Sequence, residues 1–199
     1  MNVRYLTHPQ VLIDPEVPVE RWGLNDVGRA RVTAIVVDGA LRETRSIVSS
    51  AETKAIETAQ PIADALGIQL ITREKMGEND RTATGFLPPE EFELVADQFF
   101  ATPDLSVRGW ERAVDAQARI VAETLEVLKQ APEGDVLLVG HGAVGTLLMC
   151  HIAGWALDRS RDQPGGGGNV FSFERQTLML GHGWQPMETL NDPQRAHVT

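Results

Sequence analysis

The chain has 199 residues, 42% of them hydrophobic, enough for one substantial core and for one domain rather than two. Its formal charge of -10 argues against a nucleic-acid surface, because holding a phosphate backbone takes a net basic patch; an anionic ligand must instead be held by a few locally placed cations. A single cysteine, Cys150, rules out an internal disulfide, and no export leader or run of about 18 apolar residues is visible, so a cytoplasmic protein without a membrane partner is expected.

Val3 to Thr7 reads as a first strand that runs into Thr7, His8 and Pro9. The stretch from Val11 to Trp22 contains Pro15 and Pro18 and reads as a loop carrying Arg21, after which Asn25 can cap a helix to about Val37. Ser46 to Ser49 is a second short buried strand. Ser49 followed by Glu52 three residues on is a capping-box pattern, predicting an alanine-rich helix that stops near Gly67. Ile68 to Thr72 reads as a third strand. The polar stretch REKMGENDRTATGFLPP is longer than a connection needs, which inside a compact domain points to function or disorder.

Helices over about Pro89 to Phe100 and Gly109 to Gln130 form an excursion at about 88–131, the second with one apolar face through Ala113, Ala116, Ile120, Leu125 and Leu128. Asp135 to Gly140 (DVLLVG) is the clearest buried parallel strand, and a helix begins at His141 and Gly142. Four glycines then break the pattern before two strand-like runs, VFSFE and TLMLG, and a loose tail follows from about residue 190. Alternating strands and helices over 1–199 predict a single α/β domain: a three-layer sandwich with a mostly parallel central sheet and helices on both faces.

Ligands of open parallel sheets bind beyond the carboxyl ends of the strands. Here those ends carry Thr7 and His8, then Ser49 and Ser50, then His141. The last two ends lead straight into helices, whose N-terminal N–H groups favour an anion. Neutral imidazole is a good nucleophile near pH 7, so His8 suits attack on phosphorus. A second histidine, His141, can bond the oxygens of the transferring group, and an acid must protonate the departing oxygen, a task that fits Glu78. This scheme requires no metal or other cofactor. A zinc reading lacks HxH or HExxH spacing, so His151 and His182 read as structural. The glycine run has no Lys-Ser or Lys-Thr after it and reads as a flexible linker or a pocket edge.

At this point the chain resembles the histidine phosphatase superfamily, the phosphoglycerate mutase-like family. Its members end the first strand in Arg-His-Gly, begin a helix with Ser-Ser-x-x-x-Arg-Ala-x-x-Thr-Ala, place an acid after the third strand, and end a later strand in His-Gly. The counterparts are Thr7-His8-Pro9, then SSAETKAIETA from Ser49 to Ala59, Glu78 in MGENDR, and GHGAVGTLL from Gly140. The resemblance implies a phosphoglycerate mutase-like fold, His8 as the phosphorylated nucleophile, His141 as the second phosphate-pocket histidine and Glu78 as proton donor. It also implies phosphate- or substrate-binding positions at Thr7, Ser49, Lys54, Gly142 and Asn169.

Two departures stand out. Thr7 and Lys54 occupy places where the family keeps arginine, and a guanidinium fork binds phosphate bidentately where lysine offers a point charge and threonine a neutral hydroxyl. Each charge-assisted bond lost is worth about 1.5 to 3 kcal/mol. Arg21 and Arg81 are the candidates to replace them, with Arg4, inside the first strand, behind both. The implied activity is a metal-independent phosphatase acting through phosphohistidine on a small phosphorylated substrate. Mutase-type phosphoryl transfer shares that chemistry, and a weakly active or non-catalytic phospho-ligand-binding protein is the reading the two departures favour. Monomer and homodimer are both left open.

Overall fold

A computed structural model describes residues 1–37 and 41–191. In chain order it contains β1 (Asn2–Thr7), α1 (Asp26–Val37), β2 (Thr44–Ser50), α2 (Thr53–Leu66), β3 (Leu70–Arg73), α3 (Pro89–Ala101), α4 (Ala113–Gln130), β4 (Asp135–Gly140), α5 (Gly142–Ala153), β5 (Asn169–Glu174) and β6 (Leu180–Pro186), with short 3-10 turns between. The strands form one sheet in the order β3-β2-β4-β1-β5-β6. From β3 to β1 every pairing is parallel, while β5 is antiparallel to both its neighbours, β1 and β6.

Strand β4 shows why DVLLVG reads as it does. Val136 and Leu138 face the core shared with α3, α4 and α5, whereas Leu137 and Val139 face the core shared with α1 and α2. A strand covered on both faces buries every side chain, so apolar residues run without alternation. All four are fully buried, each contributing about 1.5 to 3 kcal/mol of hydrophobic stabilisation. The two cores on opposite faces of the mostly parallel sheet give the three-layer α/β architecture expected from the sequence.

Several boundaries shift for physical reasons. The helix expected from Gly109 begins at Ala113, because Arg108 and Gly109 have φ of 50° and 83° and turn the chain so that Trp110 is buried. The run TLMLG becomes a strand only at Leu180, since Thr177 and Gln176 donate backbone N–H groups to the Glu174 carboxylate in a turn. The capping box does not form: Ser49 lies inside β2, Glu52 is the N-cap of α2, and its backbone N–H donates to Ser50 Oγ at 3.2 Å.

The glycine run is a built turn, not a flexible linker. Gly166, Gly167 and Gly168 have φ of 91°, 65° and 63°, which glycine adopts without steric cost. Gly168 N–H donates to the His8 carbonyl at 2.9 Å, and Arg31 clamps the carbonyls of Gly167 and Gly168. Met187–Asn191 form a 3-10 turn, and the rest of the expected tail, from 192 onward, lies outside the described residues. Among the described residues no helix is long and apolar enough to cross a membrane.

Candidate active site

Pairing of β1 with β4 sets Thr7 opposite Gly140, so the next residue of each strand is a histidine. The His8 N–H donates to the Gly140 carbonyl at 3.0 Å, and the two imidazoles meet edge to face, with centroids 5.3 Å apart and planes at 66°. Nδ1 of His8 lies 2.9 Å from the Pro9 carbonyl, an acceptor only, so Nδ1 carries the hydrogen and Nε2 keeps its lone pair. Burial, partly opposed by that hydrogen bond, pushes His8 down to about 4 from its ordinary 6.5, so it is neutral at pH 7.

His141 is fully buried, and its backbone is fixed by Tyr5, whose hydroxyl accepts from the His141 N–H at 3.1 Å and donates to its carbonyl at 3.3 Å. This contact explains two glycines of GHGAVG: a Cβ on Gly140 would lie 2.3 Å from Tyr5 Oη, and one on Gly145 2.5 Å from Tyr5 Cε1. The His141 Nε2 lies 2.8 Å from Ser50 Oγ and 3.3 Å from Glu52 Oε1. Burial holds this imidazole well below its ordinary value despite the nearby Glu52.

A carboxylate of the protein itself occupies the N-terminus of α5, one of the two that the sequence offers to an outside anion, whereas the N-cap side chain of α2 turns away from its helix. At α5, Glu78 accepts from the N–H groups of Ala143 (3.3 Å) and Val144 (3.1 Å), besides that of Asn79. Burial raises the Glu78 carboxyl above the usual range, outweighing Arg81 and the N–H donors. Arg119 holds the loop in place by donating to the carbonyls of Lys75, Gly77 and Glu78. At α2, Glu52 pairs with Lys54 Nζ and accepts the Glu78 N–H at 2.8 Å. Burial pushes the Glu52 carboxyl up, but His141, Lys54 and this hydrogen bond bring it down to about 2.

The expected phosphate-binding residues divide accordingly. Lys54 is buried, its ammonium spent on Glu52 and the Val19 carbonyl, and it lines neither of the cavities at this end of the sheet. Ser49 and Ser50 are both buried; the Ser49 hydroxyl donates to the Ser50 carbonyl, whereas Ser50 reaches His141 and borders the outer cavity. Thr7 and Asn169 lie behind the site. The Thr7 hydroxyl donates to Gln163 Oε1 at 2.7 Å and accepts from the Asn169 N–H, and the Asn169 amide donates to Gln163 Oε1 and the Pro164 carbonyl. Arg4 is bound to Asp135 at the far end of the sheet.

Two cavities meet here. The inner, of about 480 Å³, is walled by His8, Gly142, Gln163 and Arg81 with Phe92 and Trp110; the outer, of about 780 Å³, by Ser50, Glu52, Arg21 and the 15–20 loop. Glu78, Asn79 and Arg81 line both. The Arg81 guanidinium rests on the faces of Phe92 (4.9 Å) and Trp110 (5.9 Å), a cation–π seat that leaves its N–H donors unclaimed among the described residues. Arg21 is exposed and borders only the outer cavity.

The structure also brings in residues that sequence reasoning missed. Glu52 stands in the SSAETK block next to the strand end that carries Ser50, and its place in a capping-box pattern hid its part in the site. Gln163 carried no signal: it follows a 3-10 turn, and its Nε2 lies 2.3 Å from where a Cβ on Gly142 would stand, directly over the start of α5.

The family model described as histidine phosphatase superfamily (branch 1) matches residues 18–177, beginning after His8. No curated protein sequence matches the chain significantly. Similar solved structures include Bacillus stearothermophilus YhfR (21% identity, 92% of this chain and 94% of that one, TM-score 0.75). A mycobacterial glucosyl-3-phosphoglycerate phosphatase has 17% identity over 92% of this chain and 95% of its own, with a TM-score of 0.73. The Entamoeba histolytica phosphoserine phosphatase in complex with 3-phosphoglyceric acid has 16% identity over 92% and 96%, with a TM-score of 0.73. At these identities the likeness speaks for the fold, and the family model, which spans most of the sequence, speaks for descent: the chain belongs to branch 1 of the histidine phosphatase superfamily.

Proposed function

We propose that this protein is a metal-independent phosphomonoester phosphatase that acts through a phosphohistidine. The observation that carries the reading is the state of His8: a neutral imidazole with its hydrogen tied to Pro9 on Nδ1 and its Nε2 lone pair left for attack, at the wall of a cavity shared with Glu78 and Arg81. Nε2 attacks phosphorus, the bond to the substrate oxygen breaks, and Glu78, kept protonated longer than an ordinary carboxyl by burial, gives that oxygen its proton. In the second half Glu78, now a carboxylate, takes a proton from water as the water oxygen attacks phosphorus. The N–P bond breaks, and phosphate leaves with His8 restored.

Arg81 is the cation for the transferring group, since Lys54 is neutralised by Glu52. His141 meets the phosphoryl oxygens from the buried side. Solved relatives named as phosphatases of phosphoglycerate-type and phosphoserine substrates support a small phosphorylated substrate here. The test is brief incubation with a labelled phosphomonoester followed by quenching: an acid-labile, base-stable phosphate should appear on the protein and vanish in His8→Ala. Turnover without label would refute the nucleophile assignment.

The Glu52–Lys54 pair favours a second reading, a phospho-ligand-binding protein of little activity. Equal background hydrolysis by the wild type and His8→Ala across a phosphomonoester panel, with phosphate binding retained, would decide for it.

A further inference from the structure

The two nitrogens of His141 have unequal surroundings. Nε2 faces the Glu52 carboxylate at 3.3 Å and Ser50 Oγ at 2.8 Å. A bare lone pair aimed at a carboxylate is repelled, whereas an N–H is attracted, so the ring hydrogen sits on Nε2. A second hydrogen is opposed chiefly by burial, which outweighs the Glu52 carboxylate that favours a cation, with Lys54 and Arg81 adding to the opposition. Nδ1 is therefore an acceptor. It is buried and has no hydrogen-bond partner among the described residues, an unusual state for a polar atom.

If His141 meets a phosphoryl group, it does so through Nδ1, and Nδ1 asks for a hydrogen. A doubly ionised phosphoryl group has none to give; the singly ionised form has one P–OH. His141 itself lines neither cavity but lies against His8, and the inner cavity that His8 walls matches that form. Gln163 Nε2 and the Gly142 edge supply neutral donors, Arg81 supplies one cation that makes no salt bridge among the described residues, and Lys54 is cancelled by Glu52. A dianion would meet one cation, Arg81, beside the Glu78 carboxyl, because the Glu52 and Lys54 charges are spent on each other.

We propose that the pocket binds its phosphoryl group in the singly charged, protonated form, and that Glu52 is the positioning residue that enforces this by holding the His141 hydrogen on Nε2. The proposal rests on the assignment of the His8–His141 pocket as the phosphoryl site, and not on the covalent step. It names the substrate class by charge state: phosphomonoesters at or below their second ionisation, which lies near pH ~6.

Inorganic phosphate and sulfate are the probes, because sulfate has the same tetrahedral shape but is a dianion without a proton over this range. Calorimetric titration of the full chain should show phosphate affinity falling about tenfold per pH unit once the ligand loses its second proton. At mildly acidic pH sulfate should bind about 100-fold more weakly than phosphate, the cost of leaving a buried acceptor unpaired. Glu52→Leu should flatten the slope and bring sulfate within about tenfold of phosphate, with Glu52→Gln as the milder variant. Glu78→Gln should keep the slope, separating ligand ionisation from that of the neighbouring carboxyl. Nitrogen NMR of labelled histidine should show His141 with its hydrogen on Nε2 in the wild type and on Nδ1 in Glu52→Leu.

Phosphate affinity that stays flat or rises with pH, sulfate binding equal to phosphate, no phosphate binding at any pH, or loss of the slope in Glu78→Gln would each overturn the proposal. Its failure is separable from failure of the phosphatase reading. A His8 label without the slope removes only the protonation-state proposal, and the slope without a label removes only the covalent mechanism.

Discussion

His8 and His141 follow paired residues of adjacent parallel strands, yet they carry opposite hydrogen placements. At the β1 end Pro9 takes the hydrogen of Nδ1, and the ring edge that remains is a bare Nε2 on the cavity wall. At the β4 end Ser50 and Glu52 claim Nε2, and the whole ring lies beneath the surface, braced by Tyr5. Equivalent sheet positions thus yield a lone pair at the proposed nucleophile and a buried acceptor. The partner of the other ring nitrogen, not the histidine itself, divides the labour.

The sharpest way to break this comparison is to remove each ring in turn. His8→Ala should lower kcat on a phosphomonoester by at least ~10⁴-fold, since the covalent route disappears. His141→Ala should cost only about 10²- to 10³-fold, the usual effect of losing one group that stabilises the transferring charge. If steady-state kinetics gave the reverse order, the two assignments would have to be exchanged.

The second test is pH. His8 has its pKa depressed to about 4 in the fold against 6.5 unfolded, and His141 is shifted in the same direction. Stability from keeping them neutral is fully present above the unfolded value and is lost as pH falls toward 4. Linkage sets the His8 share at about 3 kcal/mol. Thermal melts should therefore drop steeply between pH ~6.5 and ~4, more than carboxylates alone produce, and His8→Asn should remove part of the drop. The rate should fall at the alkaline side as Glu78 loses its proton above the ordinary carboxylate range.

A smaller effect probes the brace under His141. A Cβ at position 140 would stand 2.3 Å from Tyr5 Oη, itself fully buried. Gly140→Ala should destabilise the protein by about 1 to 3 kcal/mol, as overpacking does, and Tyr5→Phe in the same background should recover part of it. Denaturant melts of the two single variants and the double variant make a cycle. Strict additivity would show that Tyr5 is not the obstacle.

The layout of the fold was legible because burial on both faces leaves an unambiguous trace. DVLLVG is such a trace, and β4 spans those residues. The convergence of candidate residues was legible where they sit at strand ends, and His8, His141 and Gly142 do lie together. What could not be read was charge compensation. Lys54 reads as a phosphate ligand until Glu52 is seen to hold it, because two residues apart on a helix start tells nothing of which way an N-cap side chain folds. The glycine run reads as a linker until Arg31, far away in sequence, is seen to clamp it. Thr7 reads as a weakened clamp until its hydroxyl is seen to bond another residue.

That residue, Gln163, is the smallest and most specific prediction. Two donors, Thr7 Oγ1 and Asn169 Nδ2, converge on its Oε1, so the amide cannot flip without losing both bonds, and Nε2 must face Gly142 and the cavity. A neutral donor bonded to Thr7 thus lines the inner cavity. Gln163→Ala should raise KM for a phosphomonoester about tenfold with kcat little changed, the weight of one hydrogen bond to a charged oxygen. Gln163→Glu should raise it further, because a carboxylate would face the phosphoryl group. Thr7→Val should give a fraction of the Gln163→Ala effect, since the amide stays but loses its orientation, and combining Thr7→Val with Gln163→Ala should add nothing in KM. Additive losses in that pair would place Thr7 in direct contact with substrate and undo the account of Gln163 as the group it serves.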